Sequence, residues 1–185
     1  MRYYHGTTVG NLEYLKPFAN PDSNLKKPCI YFATKEEIAV MYIWRYPFKF
    51  LTYEYDEQGN VFYYEWFEGG IEYFYRGLSG YVYSVVGEFD HDENIKIKYA
   101  AISETEAQVE GVTCIKDVAE KLFEYDKLGK IKIVRYADLA KEKRERHQWI
   151  LAKKYVKYED PSHPFRRLVE DKFPEVLELI SMNGK

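Results

Sequence analysis

The sequence predicts an α+β fold with a β-rich middle, flanking helices and a C-terminal helical extension. Three observations carry this. Residues 48 to 99 hold short aromatic and β-branched runs divided by turn signals, the pattern of hairpin-linked strands. Helical spacing dominates from residue 117 onward. The 185 residues suffice for one domain with a substantial core. That domain is expected over residues 1 to 136, with residues 137 to 185 a helical extension packed on it.

The elements follow in order. Arg2, Tyr3, Tyr4 and His5 form a short strand closed by Gly6. Thr7 and Thr8 are placed to cap a helix over residues 9 to 15, stopped by Pro17. Residues 19 to 28 are a turn-rich loop. Residues 29 to 33 read as a buried strand. Thr34 and Glu37 have capping-box spacing, and the helix they open carries Ile38, Ala39, Met41, Tyr42 and Ile43 and ends before Pro47. Residues 50 to 55 and 61 to 66 form a hairpin about the loop 56 to 60. Strands follow at 80 to 86, 95 to 99 and 109 to 115, with polar residues between the last two. A helix over 117 to 128 has Gly129 as its stop. Residues 131 to 136 form a strand, 137 to 158 a long charged helix, and 165 to 180 a last helix interrupted near Pro174.

Composition narrows the function. The formal charge of −3 argues against a general nucleic-acid binder, though local basic patches stay open. Aromatic residues make up 18% of the chain, 19 of them Tyr, and Tyr presents an apolar body with a polar tip suited to lining pockets and partner surfaces. Most of these tyrosines are accounted for by an ordinary Tyr-rich core and surface. Cys29 and Cys114 are far apart, lack zinc spacing and read as buried small hydrophobes of a reducing compartment; the sequence leaves a disulfide between them open. With no signal-like N-terminus and no run of about 20 apolar residues, the expectation is a cytoplasmic protein with no membrane partner.

The residues that point to chemistry are His5-Gly6-Thr7 and Tyr31-Phe32-Ala33-Thr34. They put a His and a Tyr at the ends of two strands, where a ring can stack on a flat ligand and an imidazole can hydrogen-bond it. The second motif runs directly into a helix bearing Ala39-Val40-Met41-Tyr42. In order and spacing these segments resemble the ADP-ribosyltransferase fold of the poly(ADP-ribose) polymerase and diphtheria-toxin type, over residues 2 to 136. The resemblance implies a split β-sandwich that binds NAD as substrate, releases nicotinamide and passes ADP-ribose to a protein, a nucleic acid or water, with no metal. It implies that His5 hydrogen-bonds a ribose, that the Gly6 backbone holds the nicotinamide amide, and that Tyr31 stacks on the ring with Tyr42 closing the other face. Thr7 and Thr34 would be small polar neighbours of the slot, and Phe32 and Ala33 complete its strand. The family's third motif is a strand-borne Glu. Aligned on Ala107-Gln108-Val109, that position falls on Ala100. Glu104 is then the candidate for the catalytic carboxylate beside His5, with Glu106 on the same strand face and Glu88 as substitutes.

Two other readings belong to the same fold: a catalytically silent NAD- or ADP-ribose-binding or interaction module, favoured by Ala100, and an RNA 2′-phosphotransferase-like enzyme, for which Arg2 and Arg45 would hold phosphate. His91, between Asp90 and Asp92 and near Glu88 and Glu93, reads as an acidic hairpin tip rather than a metal site. Residues 141 to 146, KEKRER, read as an exposed helix face with compensating charges. The acceptor and the oligomeric state are not written in the sequence.

Overall fold

A computed structural model of the chain describes residues 1–19, 25, 27–48, 50, 53–90 and 99–183. The fold is α+β, with antiparallel sheets and C-terminal helices. In chain order the first elements are β1 (Arg2–Thr7), β2 (Tyr14–Leu15), β3 (Ile30–Ala33), α1 (Glu36–Met41), β4 (Tyr53–Tyr55), β5 (Val61–Tyr64), α2 (Gly70–Tyr75) and β6 (Gly80–Val86). Then come β7 (Ala100–Ser103), β8 (Ala107–Gln108), β9 (Gly111–Ile115), α3 (Val118–Lys127), β10 (Ile131–Val134), α4 (Lys141–Lys157), α5 (Pro164–Lys172) and α6 (Pro174–Asn183). The chain forms two compact units, residues 1–45 with 74–131 and residues 46–73 with 132–185.

The first unit is built on a five-stranded sheet in the order β7-β3-β1-β6-β9. Its register sets His5 opposite Tyr83, Tyr4 opposite Ala33 and Ala33 opposite Ala100. Side chains alternate along a strand, and Tyr3, Phe32, Tyr83, Val85 and Ala101 meet in one buried cluster with Leu15, Ile30 and Ala107. Each fully buried large apolar side chain there contributes about 1.5–3 kcal/mol. Helix α1 packs against β1, β3, β6 and α3. Helix α3 forms as its sequence dictates. Asp117 accepts the Glu120 amide as N-cap, and Gly129 takes the left-handed conformation, φ 70°, that stops it. Burial would raise the Asp117 carboxyl, but the amides of Gly77, Glu120 and Ala119 hold it below the usual carboxylate range.

The second unit contains the β4–β5 hairpin, with Tyr53 opposite Tyr63 and a turn closed by Asp56 and Asn60, and β10 alongside β5. Helices α4, α5 and α6 pack on one another. Pro174 divides the last two by standing at the first position of α6, where its missing N–H costs nothing. Glu65, 2% exposed, is held by the Ile71 amide at 3.2 Å and the Arg135 Nη1 at 3.0 Å, so this buried carboxylate is paired. His147 of α4 is buried and lies flat on Trp66, ring centroids 4.1 Å apart.

Several expected elements differ. Residues 9 to 15 are not helical. Asn11 sits at φ 59°, the Val9 amide donates to Thr7 Oγ1 and the Leu12 amide to the Tyr83 hydroxyl. The Leu12 amide is one that a helix over these residues would use, and Tyr14 and Leu15 pair with Gln108 and Ala107 instead. The Thr34 capping box is absent as well. The Thr34 amide donates to the Tyr99 carbonyl, and α1 starts one residue later from Lys35, whose side chain caps nothing. β1 runs on through Gly6 and Thr7. Cys29 is buried but Cys114 is exposed on β9, and both are free thiols. Residues 136 to 138 form a 3-10 turn ahead of α4. Most of the strand expected at 95 to 99, and the acidic tip at His91, Asp92 and Glu93, lie outside the described residues. No helix among the described residues is long and apolar enough to cross a membrane.

Candidate functional site

The end of β1 bears His5, Gly6 and Thr7, and a cleft of about 620 Å³ opens around it. His5, Gly6 and Thr7 line it with Tyr42 and Trp44 from the end of α1 and Lys16 from the segment after β2. Its size falls in the range of small-molecule sites, about 300–1,000 Å³.

The His5 Nδ1 lies 2.8 Å from the Tyr31 carbonyl oxygen. A carbonyl only accepts, so Nδ1 carries the proton. Burial lowers the His5 pKa and outweighs the opposing pull of the Tyr31 carbonyl, so the ring is neutral at pH 7. Its Nε2 is then an acceptor, the form needed to accept a hydrogen bond from a ligand hydroxyl.

Gly6 is where the β1 and α1 backbones touch. A Cβ built there would stand 1.8 Å from the Ala39 carbonyl oxygen and 2.8 Å from its carbon. The residue must therefore be glycine, and the contact brings the helix that carries Tyr42 onto the strand that carries His5. Tyr42 is the C-cap of α1, its amide donating to Ala39. The Tyr75 hydroxyl donates to the Met41 carbonyl at 3.0 Å, and Trp44 packs on Phe74 and Tyr75. Tyr42 and Trp44 thus follow a helix end that is tied down.

The other expected site residues fall in four places. Tyr31 meets the site through its carbonyl on His5, while its ring packs edge-on against Phe18, centroids 5.9 Å apart, and Phe18 lines the cleft. Phe32 and Ala33 are core residues, each 3% exposed, that fix β3 beside β1. Thr34 continues the sheet through its amide. Glu104 lies in the turn after β7, ion-paired with Lys27 and 58% exposed. Ala100 sits at the opposite end of that strand, facing Ala33. Four residues of extended chain separate the two positions, about 13 Å, and Glu104 is not among the residues lining the cleft.

Sequence reasoning passed over Lys16 and Trp44. Lys16 falls between the helix expected at 9 to 15 and its stop at Pro17, with no motif of its own. Trp44 follows Tyr42 by two residues, and helical periodicity over residues 36 to 43 gave no sign that the chain turns beyond Met41. Comparisons with protein-family models, with curated proteins and with solved structures give no match for the chain.

Proposed function

We propose that the first unit is an ADP-ribosyltransferase-like domain, a split β-sandwich as the motif resemblance to that family implies, and that its cleft binds NAD. The observation that carries the reading is the convergence of His5, Gly6 and Tyr42 on one cleft with the His5 ring bonded to the Tyr31 carbonyl. The nicotinamide amide pairs with the Gly6 backbone, the ring lies against Tyr42, and a ribose hydroxyl donates to the His5 Nε2. In transfer, the C1′–N1 bond breaks and its electron pair leaves with nicotinamide. C1′ then bonds to a nucleophilic oxygen or nitrogen of a protein, a nucleic acid or water, which gives up its proton. A site for that chemistry holds the leaving group and stabilises a cationic ribose.

A second reading, binding without cleavage, has its own support. Ala100 faces Ala33 where the family places its carboxylate, and Glu104 is engaged with Lys27. The phosphotransferase reading has less. Arg45 donates to the Arg76 carbonyl, and neither it nor Arg2 lines the cleft.

Thermal unfolding in millimolar NAD, followed by assay of free nicotinamide, separates these readings. NAD at fifty times its Kd stabilises the chain by about 2 kcal/mol, a rise of several degrees in Tm, and His5→Ala removes the rise. Nicotinamide release supports transfer. A shift with no release supports the silent module. No shift in the wild type at millimolar NAD contradicts both.

A further inference from the structure

We infer that Lys16, with the hydroxyls of Thr7 and Thr8, forms an anion-holding rim, so that the cleft selects nucleoside diphosphates and their esters over nicotinamide or its riboside alone. The inference rests on the reading of the cleft as an NAD site and adds the group that holds the phosphates.

Charge is the first ground. Among the described residues lining the cleft there is one ammonium, Lys16, and no carboxylate. His5 is neutral, because burial lowers its pKa. The Lys16 side chain is exposed at the mouth, and the ion pairs among the described residues do not include it. A cleft with one cation, hydroxyl donors and the rings of Tyr14, Phe18, Tyr42 and Trp44 fits a ligand with a flat group at one end and an anion at the other.

The rim is also built rather than loose. The Tyr83 hydroxyl spans it, donating to the Val9 carbonyl at 3.0 Å and accepting from the Leu12 amide at 3.3 Å, and Tyr83 is itself a buried core residue. Asn11 holds a left-handed turn at φ 59°, a conformation uncommon for a side-chain-bearing residue and often kept at ligand clamps. Below it, Tyr14 and Leu15 are paired to β8, and the Glu13 carbonyl accepts the Val109 amide at 3.0 Å. Lys16 thus follows a fixed strand. Thr7 Oγ1 already accepts from Val9, so its hydroxyl proton is left to donate outward.

Calorimetry on the full chain tests the rim, with NAD, ADP-ribose, inorganic pyrophosphate and nicotinamide riboside titrated into the wild type, Lys16→Gln and Lys16→Arg. Because Lys16 is exposed, both variants keep the wild-type Tm. Lys16→Gln is expected to weaken NAD and ADP-ribose roughly tenfold, the scale of one charge-assisted contact, to abolish pyrophosphate binding and to leave the riboside unchanged. Lys16→Arg keeps most of the affinity, and added salt weakens the wild type towards the glutamine variant. Equal ADP-ribose affinity in wild type and Lys16→Gln overturns the rim while leaving the NAD reading standing. Lys16-dependent pyrophosphate and ADP-ribose binding, with no binding of the riboside, upholds the rim and overturns the nicotinamide slot. No binding of any of the four overturns both.

Discussion

Gly6→Ala is expected to lower the melting temperature by roughly 10 °C and, on the NAD reading proposed above, to abolish NAD binding. The added methyl would stand 1.8 Å from the Ala39 carbonyl oxygen, 2.8 Å from its carbon and 3.3 Å from Ile43. The first two are backbone atoms of α1 and cannot rotate away as a side chain can. Overpacking against movable side chains costs about 1–3 kcal/mol. Here the helix must lift off the strand, so the cost exceeds that range. Lifting α1 also moves Tyr42 away from His5, which couples stability to ligand binding. Gly70→Ala is the control: its methyl meets nothing closer than 3.8 Å, and it stands at the start of a helix, where alanine is favourable. A Gly6→Ala protein melting within about 3 °C of the wild type, roughly 1 kcal/mol, would show that the strand and the helix do not touch there.

Acid is expected to destabilise the second unit through His147. Burial lowers its pKa most, the Lys143 ammonium lowers it further, Glu54 opposes and Arg146 adds a smaller lowering, bringing it to about 4. Nδ1 is buried with no hydrogen-bond partner among the described residues, and the ring is stacked on Trp66 with Tyr64 edge-on at 6.5 Å. In the unfolded chain the ring titrates near its ordinary 6.5. Between those two values the unfolded state binds a proton that the folded state refuses, so stability rises with pH. The contribution is whole above pH 6.5 and is lost as pH falls towards 4, the loss amounting to about 3 kcal/mol at the bottom of the window. Denaturant unfolding of wild type and His147→Leu at intervals from pH 7 to pH 4 isolates it, because the leucine variant lacks the proton site and shares every other titration. Parallel stability curves for the two proteins would mean that the ring titrates normally.

Where the sequence spoke through local chemistry, it located elements closely. The strand at 80 to 86 has its expected limits, because its alternation and its leading Gly80 are local signals. Helix α3 carries its own start at Asp117 and stop at Gly129. Pro174 announced the break between α5 and α6. Misreadings arose where distant residues claimed the same backbone groups. The Tyr83 hydroxyl, more than 70 positions along the chain, takes the Val9 carbonyl and the Leu12 amide. The Tyr99 carbonyl takes the amide of Thr34 and leaves the capping box unmade. Helix α2 is short and follows Gly69 at φ 72°, and its apolar residues, read one by one, suit a strand as well as a helix. The grouping of residues 46–73 with 132–185 is a long-range choice that no local pattern encodes. At the cleft, His5, Gly6, Thr7 and Tyr42 were singled out by their short local motifs and are among its lining residues, whereas the Tyr31 ring, read there as a stacking partner, lies against Phe18. That Gly6 forms the contact between strand and helix, and that Lys16 stands at the mouth, required the backbone path.

The most direct test is a crystal structure of the chain soaked with NAD. The NAD reading predicts the nicotinamide amide paired with the Gly6 backbone, its ring against Tyr42 and a ribose hydroxyl within hydrogen-bond distance, about 2.6–3.2 Å, of the His5 Nε2. Nicotinamide bound away from His5 and Tyr42, or an empty cleft at saturating NAD, would contradict it.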